Sequence, residues 1–370
     1  MKQPVHCMRM LIAMTGLAAV SGMAQLAQAE DGRPASQSAR SSAPMLLAQA
    51  ARPSPAALQG ELEALIKAAR AEGDVTFYSS ATENVAKQIG DAFTAKYGVK
   101  FQFVRLAGAQ VPLRYAAEAQ TGNFAADLLY IAGSAKSIAP EWVAQGWLDT
   151  IAAANLPVVK SGEFPAKFIT GATAIVQVTP WYMAYNSQKI SAADAPKDWP
   201  DLLKPQFKGQ ILLPDPRSSD SYLDFWALLI DKYGEKFFAP LRAQNLRQYS
   251  SGVPAVQALG AGEGMVEVPG VPALYTGIAA KGAPIVVIPV ELTTGVEMQV
   301  LITARAKAKH PAAARLLANF TMTPEGNKIF NLDPGSLGIY DTSALPRQYV
   351  SPEIGVIKRQ GEVLKALGIQ

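Results

Sequence analysis

Apolar positions along this chain alternate between two rhythms. Leu58, Leu62, Leu65, Ile66 and Ala69 recur at helical spacing, which predicts an amphipathic helix over Leu58–Ala71, ended by Gly73. Short apolar strands follow, each leading into a helical stretch. Val75–Tyr78 precedes a helix at Glu83–Tyr97, Lys100–Arg105 one at Gln110–Gln120, and Asp127–Ile131 one at Ser134–Gln145. A long extended stretch, Thr173–Asn186, is interrupted by Pro180. The alternation then resumes with a strand at Gln210–Leu213, helices at Ser221–Tyr233 and Pro254–Leu259, a strand at Met265–Val268 and a helix at Ala273–Ala280. Extended runs at Ile285–Val290 and Glu297–Thr303 and helices at Pro311–Met322 and Glu325–Phe330 complete the pattern.

Strands separated by helices predict crossover units and mostly parallel sheets. Two such sets, with a late return of the chain, predict an α/β fold of two lobes joined by two extended crossovers. Residues 57–176 plus 288–345 would form the first lobe, 177–287 the second, and 346–370 a C-terminal segment. In such folds a ligand lies at the carboxyl ends of strands, in the crevice between the lobes.

The amino end follows a different rule. Lys2 and Arg9 precede an apolar run from Met10 to Val20, and Ala27-Gln-Ala29 is a small-x-small signal, so residues 1–29 read as a secretory leader cleaved near Ala29. The apolar run is short for a membrane span; an uncleaved anchor is the alternative. Residues 30–56, rich in Ala, Ser, Pro and Arg, read as a disordered spacer, in which Met45–Ala50 resembles a second cleavage site. The expected location is the periplasm.

Cys7 lies inside the leader, so the mature chain has no cysteine and no disulfide. The formal charge of +4 falls to +2 once Lys2 and Arg9 are removed, which points away from nucleic acid and membrane surfaces. His310, before Pro311 at a helix start, is the mature chain's one histidine, so Ser-His-Asp and Cys-His catalysis and Cys/His zinc sites are excluded. No dinucleotide or P-loop fingerprint occurs, so no cofactor is expected. A carboxylate pair for glycoside chemistry stays open, and with it an exported hydrolase.

What remains is a set of strand-to-helix junctions. Ser79, Ser80 and Thr82 open one helix, Gly133 and Ser134 another, and Arg217, Ser218, Ser219 and Asp220 a third. Ser251, Gly270 and Tyr275 stand at further junctions of the second set. Free amides at helix starts attract anions, and hydroxyls orient a small ligand. Ser, Thr and Asp are also favoured N-caps, so each junction has a purely structural explanation as well. Arg217 could pair with an anion or brace Asp215 or Asp220. Trp181 and Tyr182, beside the expected hinge, could stack on a ligand or pack the hinge.

Five segments carry a family resemblance: Leu65–Ser80, Ala126-Asp-Leu-Leu-Tyr130, Asp198-Trp-Pro-Asp through Pro214-Asp-Pro-Arg217, Ala258-Leu-Gly-Ala-Gly-Glu263 and His310–Phe320. With them the chain resembles periplasmic solute-binding proteins of ABC importers, in the branch of the ferric-iron-binding proteins. The resemblance covers roughly residues 60–345 and is strongest from Trp199 to Arg217.

The resemblance implies a two-lobe clamp, no enzyme, that closes on a small solute. It also implies an inner-membrane permease and its ATPase as partners, and a monomer. Iron-binding members supply a histidine, a glutamate and a tyrosine pair. Those positions fall at or near Thr82, Ala132 and Val271–Ala273, none of which offers an anionic oxygen, with Tyr275 nearby but alone. The family's anion loop falls on Arg217–Asp220. A small anionic solute is therefore expected, with ferric iron, alone or with an anion, as the alternative; a sensor role would use the same fold.

Overall fold

A computed structural model describes residues 53–370. The leader and nearly all of the expected spacer lie outside these residues. From its amino end the described chain runs through α1 (Pro55–Glu72), β1 (Val75–Ser79), α2 (Glu83–Tyr97), β2 (Phe101–Arg105), α3 (Gln110–Gln120), β3 (Leu128–Ala132) and α4 (Ala135–Ala144). It continues with β4 (Leu148–Asp149), the one-turn α5 (Ile151–Ala154) and α6 (Pro157–Lys160), β5 (Ile169–Thr170), β6 (Thr173–Pro180) and β7 (Tyr182–Asn186). Then come β8 (Ile211–Pro214), α7 (Asp220–Tyr233), α8 (Glu235–Arg242), β9 (Arg247–Tyr249), α9 (Gly252–Gly260), β10 (Val266–Gly270), α10 (Pro272–Ala279) and β11 (Ile285–Ile288). The last elements are β12 (Leu292–Thr293), β13 (Gly295–Thr303), α11 (Pro311–Met322), α12 (Pro324–Phe330), β14 (Gln348–Tyr349) and α13 (Gln360–Leu367).

Helix α1 starts at Pro55, ahead of its first apolar position, because the Ser54 hydroxyl caps the Ala57 amide and Pro55 suits the first turn. Its face of Leu65 and Ala69 is buried, with Leu62 and Ile66 packed beside them.

Two sheets organise the rest. The first has the order β2-β1-β3-β13-β6-β5, with β4 on β13; the second has the order β11-β7-β10-β8-β9. Each keeps a parallel core of three strands, β2-β1-β3 and β10-β8-β9. The other strands pair antiparallel, so both sheets are mixed. The reason lies in the crossovers. Strand β6 leads out of the first sheet and β13 returns into its middle, running antiparallel to β3 and β6, a direction that strand-and-helix periodicity does not encode. Helices cover both faces of each sheet, which is why central strands such as Leu128-Leu-Tyr-Ile131 are apolar on both sides.

The connection between the sheets is packed tightly. Trp181 donates its amide to the Thr294 carbonyl, and the Thr293 hydroxyl bonds the Trp181 carbonyl. Fully buried Trp199 donates its indole N–H to the Leu292 carbonyl at 2.6 Å, so a residue of the recognisable Asp198–Arg217 stretch builds the second crossover. The C-terminal segment makes a third passage between the sheets: β14 pairs in parallel with β12, and α13 packs on the second lobe through buried Val363 and Leu367.

Candidate functional site

The parallel strands of both sheets end where the two lobes touch. From the first lobe come the loop after β3 and the segment after α12. From the second come the loops after β8 and β10. Gly133, at φ +67°, lies against the start of α7: a Cβ there would be 3.3 Å from the Asp220 Cβ and 3.4 Å from the Ser221 hydroxyl. A bulkier, right-handed residue would hold the lobes apart at this point. Gly335 closes the other side against Pro272, where a Cβ would overlap the proline ring at 2.4 Å.

The residues expected at the site fall into three groups. The first keeps helix starts or side chains free of local hydrogen bonds. Gly133 and Ser134 open α4, which has no side-chain cap; Ser251 precedes α9, also uncapped, and α10 starts uncapped after Gly270 and Val271. Ser80 lies beside Gly108 at the end of β1. Asp220 stands in the first turn of α7, its carboxyl raised above the usual range by desolvation.

A second group spends its side chains on local structure. The buried Ser79 hydroxyl accepts from the Ala81 amide at 3.0 Å. Thr82 caps α2 and bonds Asp333 at 3.3 Å. Ser219 caps α7, and the Ser218 hydroxyl donates to the Asp215 carbonyl at 2.6 Å.

The third group is turned away from the seam. Arg217 braces Asp215 through Nε and Nη2, at 3.0 and 2.8 Å, and donates to the Gln370 carbonyl at 3.1 Å. Burial works against the ionised Asp215, but the Arg217 bonds win and hold its carboxyl below the ordinary range. Tyr275 is fully buried under Gly270, with its hydroxyl on the Glu267 carboxyl, because α10 rotates that face into the sheet. Of the two hinge aromatics, Trp181 stacks on Tyr222 at 4.9 Å between ring centroids. His310 bonds buried Asp127 at 2.8 Å, and Asp127 also takes the Thr76 amide, at the strand ends opposite the seam.

Several seam residues escaped the sequence reading. Tyr222 stacks on Trp181, and its hydroxyl lies beside Gly252. Asp224 is buried, takes the Thr294 hydroxyl and the Glu353 amide at 2.6 Å each, and is pushed up to about 6 by desolvation. One signal was available: Asp224 is an acid inside the apolar run Tyr222–Leu229. A cavity of about 220 Å³ lies between the starts of α4 and α7 and the C-terminal passage at Pro352–Ile357.

Residues 125–337 match the sequence profile of the family described as bacterial extracellular solute-binding protein. The chain belongs to that family. An uncharacterized protein of Haemophilus influenzae is 26% identical over 273 residues, 70% of this chain and 76% of that protein. Among solved structures, the periplasmic binding protein AfuA from Actinobacillus pleuropneumoniae, with fructose-6-phosphate bound, is 25% identical. It covers 77% of this chain and 88% of its own at a TM-score of 0.56. Iron-bound HitA from Pseudomonas aeruginosa has the same fold at 19% identity, covering 80% and 98% at a TM-score of 0.59. As a solute-binding protein of this two-lobe type, the chain has its candidate site at the seam. Among the described residues no helix is long and apolar enough to cross a membrane.

Proposed function

We propose that this solute-binding protein captures a small anionic organic solute, a phosphate ester or a carboxylate, by closing its two lobes. It would then deliver the solute from the periplasm to an inner-membrane permease and its ATPase, acting as a monomer after cleavage near Ala29. One observation carries the anionic reading. Helices α4 and α10, one from each lobe, begin at the seam without side-chain caps, so their amide ends and dipoles favour a bound anion. AfuA, with fructose-6-phosphate bound, lends the phosphate ester weight.

Ferric iron has less support. Thr82 is a cap, Ala132 has no ligating atom, and Tyr275 is committed to Glu267, so the positions of the family's metal ligands offer no anionic oxygen at the seam. Catalysis by paired acids has less support, because the family matched is one of solute-binding proteins.

Native mass spectrometry of freshly purified mature chain, followed by thermal shift with hexose phosphates, dicarboxylates and ferric citrate, tests the proposal. A retained phosphate ester or carboxylate, or a rise in Tm with one of them, is the expected result. A rise with ferric iron alone would overturn it.

A further inference from the structure

The cavity against the first turn of α7 has a chemistry distinct from the uncapped helix starts. Its polar lining is Ser134 and Ser137 from the first lobe, Asp220, Ser221 and Asp224 from the second, and Glu353 from the C-terminal passage. Asp220 and Asp224 stand one turn apart on α7, so their carboxyl groups share a helix face, where like charges repel. Both are drawn out of water, and burial raises both. The Thr294 hydroxyl and the Glu353 amide meet Asp224. Among the described residues nothing pairs with the Asp220 carboxyl.

Cations near the cavity are already engaged. Lys136 of α4 pairs with Glu297 at 2.8 Å, and Arg359 pairs with Glu353 at 2.9 Å and with Asp231. Lys358, on the C-terminal passage, is exposed.

Ser221 supplies an independent pointer to a ligand. It is only 3% exposed, yet its hydroxyl has no hydrogen-bond partner among the described residues, and it faces the seam at Gly133. The residue lines the cavity, within reach of a bound polar donor.

We propose that this cavity receives an ammonium group of the solute, paired with Asp220 and Asp224 and accepted by the Ser221 hydroxyl. The transported compound is then an amino-bearing anion, its anionic end at the uncapped helix starts. The anionic end rests on the function proposed above; the ammonium pocket is tested separately. A cation repays desolvated carboxylates and relieves their mutual repulsion, which a neutral hydroxyl in the same place cannot do.

The test titrates the mature chain with glucosamine 6-phosphate, glucose 6-phosphate, glucosamine and glucose by calorimetry and thermal shift. Each ammonium compound should bind at least roughly tenfold more tightly than its hydroxyl counterpart, the range for a hydrogen bond to a charged group. Asp220→Asn should abolish that ratio by weakening glucosamine and glucosamine 6-phosphate; Ser221→Ala should reduce it. Equal affinities within each pair, an unchanged ratio in Asp220→Asn, or no binding by any of the four would overturn the ammonium pocket. If glucosamine binds in an Asp220-dependent way and neither phosphate adds affinity, the ammonium pocket stands and the phosphate reading falls. If glucose 6-phosphate binds and the amine adds nothing, the reverse holds.

Discussion

Glu267 is fully buried, with one carboxyl oxygen on the Tyr275 hydroxyl and the other without a partner. Desolvation pushes its carboxyl up to about 8, so it is mostly protonated at neutral pH. Its folded pKa lies above the unfolded value, so the stability it contributes is full at low pH and is lost as pH rises through about 8. Between pH 7 and 9 that loss comes to about 1 kcal/mol. Denaturant titrations should show this decline in the wild type and a flatter profile in Glu267→Gln; an equal slope in both would assign the decline to other groups. Tyr275 belongs to the same unit. In the sequence it stood as a candidate ligand contact near the tyrosine positions of iron-binding relatives. Its burial follows from the rotation of α10 onto β10, which residue spacing alone does not specify.

At the scale of elements, the main helices and strands were legible because their apolar periods are long and their ends are marked. Thr82 and Gly98 bound α2, and Pro311 starts α11. The short pieces were not. The single-turn α5 and α6, the short strands β4, β5, β9, β12 and β14, and the eight-residue α8 and α13 hold too few residues for a period to show. Helix α13 nevertheless closes the core of the second lobe, burying Val363 and Leu367 against α7 and α8. Two buried aliphatic side chains stabilise by about 3–6 kcal/mol together. Truncation after Arg359 should therefore lower the denaturant midpoint and expose the second lobe to protease, with the first lobe's fragments surviving longer. Uniform protection of both lobes in the truncated chain would contradict this role.

Over the whole molecule, the lobes meet through residues without side chains to spare: Gly133 against Asp220, and Gly335 against Pro272. Solute bound across the seam favours the state in which both lobes touch it. A large side chain at Gly133 should act as a wedge. Gly133→Trp is expected to raise the radius of gyration in small-angle scattering and to remove any co-purifying solute. Far-UV circular dichroism should stay unchanged, since the strain of a left-handed residue there is about 1–2 kcal/mol. An unchanged radius of gyration would show that the seam is not where the lobes close.

The sequence by itself determined the α/β alternation, the long crossovers near Pro180 and Val290, and the group of polar junctions from which any site had to be drawn. These are local properties: apolar period, caps and turn residues act within a few positions of one another. Tertiary structure alone decided which junction residues keep free chemistry. Ser79, Thr82, Ser218 and Arg217 are consumed by neighbouring atoms, while Ser134, Asp220 and Ser221 reach the seam. It also decided that the C-terminal passage reaches Asp224 and walls the cavity beside it. Hydrogen-bond partners and burial depend on contacts between segments far apart in the chain, and no pattern along a single segment carries that information.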